Sequence, residues 1–237
     1  MSPDNTADGA ANGAAGHHAG GDWSISALLT GKVARFGPDG EGSAIGKTRC
    51  DAPQMLDWFG FVADEQADKA VHGGPDKAVH HYPADHYPWW QQTLGDHPLL
   101  ADAGAFGENI ATGGLVEDAA CIGDRFRMGT ALVEISQGRQ PCWKLGHRFG
   151  HARVPALVVS SRRSGWYYRV IETGIVAPGD GLALIDRPFP QWSVARAFAL
   201  LIGGGARHDR AATAELAALP PLAQSWAKRA VQLSTAA

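Results

Sequence analysis

The sequence predicts a mostly β protein with some α structure: a compact, barrel-like β domain followed by a small three-helix domain. Three observations support this fold class. Short extended segments recur between turn signals such as GPDGEG and VAPGDG up to residue 187. The chain has 30 glycines and 14 prolines, as expected for many turns. After residue 187 the apolar spacing becomes helical. Many short strands with few helices favour a closed or partly closed barrel over an alternating parallel sheet.

Changes in composition divide the chain into three parts. Residues 1–22 are small, polar and aperiodic. Such a segment buries too little apolar surface to offset its ordering entropy, so we predict a disordered tail. The barrel-like domain is expected over residues 23–187 and the three-helix domain over residues 188–237.

Extended segments are predicted along the barrel-like part of the chain. They cover residues 24–36, 42–50, 76–83, 107–112, 131–137, 155–161 and 180–186. Within GDRFRMGTALVEIS, the pattern predicts a hairpin whose turn lies near Gly129 and Thr130.

Helices are predicted in both domains. ADHYPWWQQTLG and CWKLGHRFG interrupt the extended pattern, with His86 expected on a helix surface and the aromatic run 87–90 in the core. In the C-terminal domain, Ser193 and Asp209 are expected to cap the first two helices, and Pro221 lies near the start of the third. This domain has no cluster of metal-ligand residues, so we interpret it as a packing or docking module.

Composition narrows the class of protein. The formal charge of -3 gives no global basic field, so nucleic acid is not an expected partner. No apolar run reaches the length of a membrane span, and no secretory signal is recognisable at the N-terminus. Three scattered cysteines make a disulfide framework unexpected and suit a reducing cytoplasm.

Cys142 stands out among the three cysteines. It follows a proline at the predicted start of a helix, with Arg139 and Lys144 nearby. Positive charge and helix N–H groups favour a thiolate, which is the form that binds metal or attacks electrophiles. On the residues alone two interpretations stay open: a metal-binding thiolate, or a small buried hydrophobe.

A second unusual stretch is rich in histidine and glycine. His72 precedes Gly73 and Gly74, where the backbone could approach a ligand closely, and further histidines stand at positions 80, 81 and 86. Their spacing matches no standard metal site. We interpret His72, and with it His81, as hydrogen-bonding groups for a polar cofactor.

Four motifs, in this order, carry a family resemblance: VHGGPDKAVHHYP, AFGENIAT, IGDRFRMG and ISQGRQPCWKL, with SAIGK upstream. Together they resemble a MOSC domain of the YiiM-like branch, over the whole ordered length of the chain and including a C-terminal three-helix domain. The family fold is a compact, mostly β, barrel-like domain. One departure is Gly138, where the family often has proline; we expect it to alter local rigidity more than metal ligation.

The resemblance implies that Cys142 ligates the molybdenum of a molybdenum cofactor through its sulfur. The remaining metal ligands would be the pterin dithiolene and oxo groups. The residues expected to bind the phosphate and pterin of that cofactor are Ser43, Lys47, His72, Gly73, Gly74, Asn109, Arg139 and Lys144. For the lysines the competing interpretation is solvated surface charge, and for Ser43 and Asn109 it is a structural turn.

The implied activity is the reduction of N-hydroxylated compounds, such as hydroxylaminopurine-type base analogues, in detoxification. Either His72 or Glu108 would supply a proton as a catalytic residue. No flavin or dinucleotide motif is present, so an external flavoprotein reductase is the expected electron donor. The resemblance is compatible with a homodimer. Two other functions stay open: sulfur transfer through a Cys142 persulfide, and cofactor binding without turnover.

Overall fold

The computed structural model describes residues 21–67 and 73–236. The predicted disordered tail therefore falls almost wholly outside the described residues, and Asp22 already belongs to the first strand. Division of the chain into separate domains stays a prediction.

The strands are β1 Asp22–Thr30, β2 Ala34–Phe36, β3 Glu41–Ser43, β4 Thr48–Arg49, β5 Gln54–Asp57, β6 Gly60–Phe61, β7 Val79–His81, β8 Ile110–Thr112, β9 Arg125–Met128, β10 Ala131–Gly138, β11 Trp166–Glu172, β12 Gly174–Val176 and β13 Gly181–Asp186. The helices are α1 Tyr87–Leu94, α2 Trp143–Arg148, α3 Val154–Ser161, α4 Val194–Leu201, α5 Arg210–Ala217 and α6 Gln224–Thr235.

Seven of the strands close into a barrel, which confirms the predicted architecture. Their order is β13-β9-β10-β11-β7-β8-β1, and antiparallel pairing of β1 with β13 closes the ring. Only β7 and β8 run parallel among these neighbours. The predicted β9–β10 hairpin is present, since Met128 pairs with Ala131 across the turn at Gly129 and Thr130.

The strand β11 shows which side chains fill the barrel interior. Trp166, Tyr168 and Val170 are buried, whereas Tyr167 and Arg169 alternate with them and are partly exposed on the outer surface. Side chains of successive strand residues point to opposite faces, so this pattern fills the interior with large apolar groups. None of the predicted extended segments covers this strand, although its aromatic and β-branched residues are typical of one.

His81 belongs to the barrel interior and not to a ligand site. Its Nδ1 lies 3.0 Å from the Tyr168 hydroxyl, and its Nε2 lies 2.9 Å from the Thr112 hydroxyl. Burial lowers the pKa of His81 to about 3, so the ring is neutral at physiological pH. The interpretation of His81 as a cofactor contact is therefore wrong.

The segment PALVVSS, predicted to be extended, is the helix α3. Pro155 lies in its first turn, and Val154 and Val158, four residues apart, are its buried positions. A short continuous apolar run fits a buried strand and a buried helix equally well, and here packing beside α2 decides for the helix.

The three C-terminal helices are present, and the first two begin as predicted, whereas α6 begins at Gln224, three residues after Pro221. Ser193 accepts a hydrogen bond from the Arg196 amide, and Asp209 accepts one from the Ala212 amide. Their core is continuous with that of the barrel. A hydrogen bond from the Ala223 amide to the Ser136 carbonyl, 2.9 Å long, fixes the start of α6 to β10.

Gly138, at the end of β10, lies directly against the helices α4 and α6. A Cβ atom there would lie 2.9 Å from the Trp226 ring and 3.4 Å from both Phe198 and Val194. The residue is therefore explained by close packing of α4 and α6. No side chain fits without a shift of these helices.

Candidate functional site

A cavity lies on the outer surface of the barrel, beside β7, β11 and the end of β10. Loops after β3 and β6, the loop before β8, and the start of α2 complete its walls. The enclosed part measures about 100 Å³. Six residues predicted to bind the cofactor line it together: Ser43, Lys47, Asn109, Arg139, Cys142 and Lys144.

Cys142 is positioned by the chain that leaves β10. The Arg139 amide donates to the Gly165 carbonyl at 3.0 Å, which holds the chain against the start of β11. Cys142 then has an extended backbone (φ -133°, ψ 173°) and is the N-terminal cap position of α2, as the sequence predicted. It is half-buried, lines the cavity and forms no disulfide. The alternative of an inaccessible core cysteine is therefore wrong.

The far end of α2 is anchored equally firmly. The Arg148 guanidinium donates to the carbonyls of Ala105 and Gly104 at 2.9 and 3.0 Å. Both ends of the short helix are thus held by hydrogen bonds. The orientation of Cys142 follows from the barrel and the 104–108 loop, not from the helix alone.

Two buried cations face this cavity. Arg139 is 6% exposed and Lys144 is 9% exposed, so neither is a solvated surface charge. Lys144 Nζ donates to the Gly42 carbonyl at 3.1 Å, and Arg139 is hydrogen-bonded to Tyr167. Among residues 21–67 and 73–236, neither has a carboxylate partner. Burial of a cation is costly unless a counter-charge compensates it, so the pair favours an anionic ligand.

Lys47 differs from these two cations because it is already paired. Its Nζ lies 2.6 and 2.5 Å from the two carboxylate oxygens of Asp64, and both side chains are 7% exposed. Asp64 also accepts from the Gly31 amide and from Asn109 Nδ2. Burial lowers the pKa of Lys47, and the Asp64 charge opposes that effect. The predicted phosphate-binding lysine is therefore neutralised within the chain.

Asn109 serves the same arrangement. Its Oδ1 accepts from the His80 amide at 3.0 Å, and its Nδ2 donates to the Leu29 carbonyl as well as to Asp64. Both amide hydrogens therefore have acceptors inside the protein. Asn109 lines the cavity, but its hydrogen bonds are those expected of a structural residue and not of a cofactor contact.

His80 is a cavity residue that the sequence did not single out. It is 4% exposed, and its Nε2 is buried with no hydrogen-bond partner in the part of the chain that the structure describes. Burial, reinforced by the Arg139 charge, holds the pKa of His80 well below its ordinary value. The ring is therefore neutral and stacks obliquely 5.0 Å from Tyr167.

Sequence reasoning also missed Asp64, Gln66, Lys77 and Tyr167, which line the cavity. Asp64 stands in an ordinary acidic loop, VADEQAD, and nothing local marks it. Alternation along β11 would have placed Tyr167 on the face opposite to Tyr168, had that strand been recognised.

Glu108 lies outside the cavity lining, which corrects its interpretation as a proton donor. The side chain is fully buried, and its carboxylate accepts from the Tyr87 hydroxyl and from the amides of Gly104 and Phe106. Such contacts fix the turn that precedes β8. Its oxygens are committed to the backbone and are not presented to a ligand.

Three further histidine and glycine residues were predicted to bind the cofactor. His72 lies outside the described residues. Gly73 and Gly74 do not line the cavity, but the Gly74 amide donates to the side chain of Gln66, which does. His86 is buried and bonds Glu117 at 2.6 Å, so its interpretation as a helix-surface residue is wrong.

Over residues 21–67 and 73–236, no group of three or more His, Cys, Asp and Glu side chains is placed to hold a metal ion. Nor does any helix in these ranges have the length and apolar character needed to cross a membrane.

Comparison with known proteins gives one family. The sequence model of the MOSC domain matches residues 68–183. Protein YiiM of Escherichia coli (strain K12) is 43% identical over 160 residues, 68% of this chain and 71% of that protein. The crystal structure of YiiM from Geobacillus stearothermophilus superposes with a TM-score of 0.76 at 31% identity, covering 90% of this chain and 100% of that one.

A further relative belongs to a larger protein. A "Reductase" of Gibberella moniliformis (strain M3125 / FGSC 7600) is 41% identical over 153 residues, 64% of this chain. The match spans only 27% of that protein.

Proposed function

The chain belongs to the MOSC domain family, with YiiM among its relatives, and on that premise we propose that it is a molybdenum-cofactor-dependent reductase of N-hydroxylated compounds. Hydroxylaminopurine-type base analogues are the proposed substrates and detoxification is the proposed role. One observation carries this proposal: Cys142 shares a cavity with two buried cations, Arg139 and Lys144, whose charges no described carboxylate balances.

The donor set of the cavity fits the proposed cofactor. Cys142 supplies the soft sulfur ligand that molybdenum would take. Arg139 and Lys144 supply positive charge for a phosphate. The Ser43 hydroxyl accepts a hydrogen bond from the Ile45 amide, and its own proton can be donated to a ligand. The enclosed volume of about 100 Å³ is below the 300 Å³ typical of small-molecule pockets. It suits one end of a ligand whose remainder lies in the open mouth.

The reaction needs two electrons and two protons, since R–NHOH becomes R–NH₂ and water. When bound, the molybdenum cofactor supplies the two-electron reduction that cleaves the N–O bond. The chain's own part is to hold a proton close by. Lys47 is suited to this, because burial lowers the pKa of its ammonium group and Asp64 fixes its position. His72 stays a second proposed donor.

Electrons come from outside the chain in this proposal, from an external flavoprotein reductase. The Gibberella moniliformis relative supports a redox setting, because its name is "Reductase" and most of its length lies outside the match. A cytoplasmic location and a homodimeric assembly complete the proposal.

Metal analysis tests the cofactor. Wild-type protein, Cys142→Ala and Cys121→Ala would be purified from a host that makes molybdenum cofactor. Cys121 is the matched control, because it is buried and lies outside the cavity. We expect near-stoichiometric molybdenum and released pterin in the wild type and Cys121→Ala, and neither in Cys142→Ala.

Absence of molybdenum from the wild type would contradict the proposal. Added sulfur on Cys142, detected by intact-protein mass spectrometry, would then identify the sulfur-transfer alternative. Bound molybdenum without turnover of 6-hydroxylaminopurine by an artificial electron donor would identify the cofactor-binding alternative.

A further inference from the structure

Three aromatic side chains form an exposed cluster next to Cys142: Phe36, Trp143 and His147. The ring centroids of Phe36 and His147 are 4.8 Å apart, and Trp143 lies 6.2 Å from Phe36 and 6.1 Å from His147. Trp143 is 46% exposed. The cluster is therefore a surface feature, with about half of the indole open to solvent.

The cluster stands next to two of the elements that form the cavity wall, the start of α2 and the strand β3. Trp143 follows Cys142 directly and precedes Lys144, both of which line the cavity. Consecutive Cα atoms are about 3.8 Å apart, so the backbone of Trp143 adjoins that of Cys142, and the indole itself stands outside the cavity lining. Phe36 ends β2, whose partner β3 ends at the cavity residue Ser43.

The indole is held in place rather than loosely attached. Gly37 has a φ of +81°, and a Cβ atom there would lie 2.7 Å from the Trp143 ring. The backbone thus passes directly against the indole. Lys144 joins α2 to the β2–β3 hairpin through its bond to the Gly42 carbonyl. Both elements under the cluster are fixed relative to the cavity.

An exposed, ordered aromatic surface beside a reactive sulfur has a chemical use. Flat rings stack on other planar rings, and this attraction tolerates differences in the pattern of polar groups. We propose that the exposed Trp143 indole, flanked by Phe36 and His147 at interplanar angles of 38° and 67°, is a stacking platform for the planar ring of the substrate, with its N-hydroxyl group reaching the Cys142 cavity. This inference rests on the proposed reductase function and specifies it: aromatic N-hydroxylated compounds would be preferred to aliphatic ones.

Paired substrates test the platform. Reduction of 6-hydroxylaminopurine and of N-methylhydroxylamine by reduced methyl viologen would be measured for the wild type, Trp143→Ala and Trp143→Phe. Loss of one stacking contact should raise KM for the purine about tenfold in Trp143→Ala, with kcat little changed. Turnover of N-methylhydroxylamine should be unaffected, and Trp143→Phe should retain most purine affinity.

A matched control is available in Trp58→Ala. Trp58 is 51% exposed on the β5–β6 hairpin, and unlike Trp143 it has no sequence neighbour that lines the cavity. This variant should resemble the wild type with both substrates. Equal losses for both substrates in Trp143→Ala would overturn the platform in favour of a role in positioning Cys142. If Trp143→Ala loses activity with neither substrate, the stacking platform is also overturned. The exposed surface would then be interpreted as a contact for another protein.

A binding measurement separates the platform from the reductase proposal. Adenine would be titrated against each variant, with quenching of tryptophan fluorescence as the signal. If the wild type reduces neither substrate, the reductase proposal fails. The platform as a planar-ring site then stands if Trp143→Ala removes adenine-dependent quenching, and falls if wild type and variant quench alike.

Discussion

His80 and His81 are neighbours on β7, yet they belong to two different regions of the molecule. His81 faces the barrel interior, where both ring nitrogens have partners in Tyr168 and Thr112. His80 faces the outer cavity, and its Nε2 has no partner among the described residues. The chain itself therefore supplies partners for both ring nitrogens of His81, whereas it leaves Nε2 of His80 without a described partner. A buried polar atom without a partner is costly, so the two neighbouring histidines differ in how well the chain stabilises them.

The charges repeat this contrast. Lys47 is balanced within the chain by Asp64, whereas Arg139 and Lys144 have no described carboxylate. Substitutions that remove a satisfied group and an unsatisfied group should therefore act differently on stability and on ligand binding.

The largest effect on stability is expected for Asp64→Ala. It leaves the Lys47 ammonium buried without its counter-charge, which costs about 3 kcal/mol of unfolding free energy. The measurement is urea unfolding at pH 7.

The double variant Lys47→Met/Asp64→Ala is the control and should recover most of this loss. Because burial lowers the pKa of Lys47, the single variant should lose less at pH 9.5, where Lys47 sheds its proton more readily in the folded state. A stable single variant at pH 7 would show that Asp64 does not balance Lys47.

A somewhat smaller effect is expected for Gly138→Ala, on the closed side of the molecule. The added Cβ meets the buried Trp226 ring at 2.9 Å, and overpacking of this kind costs about 1–3 kcal/mol. Gly113→Ala is the matched control, because nothing lies within 4 Å of a Cβ there. Equal thermal stability of the two variants would show that the packing of α4 and α6 adjusts to the added methyl group without loss of unfolding free energy.

His81→Gln should change the acid limb of the stability profile. The folded pKa of His81, about 3, lies below its unfolded value of 6.5, so the unfolded state binds the extra proton between these limits. Wild-type stability therefore falls as pH drops through this window, by up to about 1.4 kcal/mol per pH unit from this group. Urea midpoints between pH 7 and pH 4 should fall less steeply in the variant. If the urea midpoints of His81→Gln and the wild type fall equally with pH, the lowered pKa of His81 is disproved.

The smallest effect on stability is expected for Arg139→Met, on the open side. Removal of a buried cation without a carboxylate partner should change the unfolding free energy by less than about 1 kcal/mol. Retained molybdenum should nevertheless fall sharply in the purified protein. If Arg139→Met loses about 3 kcal/mol of unfolding free energy, Arg139 is a structural charge like Asp64. If the variant retains as much molybdenum as the wild type, Arg139 does not belong to the ligand site.

Local patterns predicted the parts of the fold that local forces decide. Helix starts at Ser193 and Asp209 depend on one side chain and the next turn, and both are confirmed. The prediction of an extended segment at PALVVSS is wrong because four apolar residues in a row show neither the strand period nor the helix period. Its conformation is set by packing beside α2, which no short window contains.

The site followed the same rule. Cys142, Arg139 and Lys144 are close in sequence, so one motif could bring them together. Asp64 and His80 join them only because the chain folds back over the barrel, and their partners, Lys47 and Asn109, are 17 and 29 residues away. Only the structure could distinguish Lys47, neutralised by Asp64, from Arg139 and Lys144, which no described carboxylate balances.

The closing pair of the barrel sets the order in which the molecule can be made. β1 pairs with β13, Asp22 with Ala183, so the first strand waits for a partner about 160 residues later. Contacts this distant in the chain form slowly, because the entropy of a large loop must be lost before they stabilise anything. During synthesis on the ribosome β1 therefore stays unpaired on the β13 side until nearly the whole barrel has emerged. We expect slow refolding, and assembly of the complete cavity only after translation has passed residue 183.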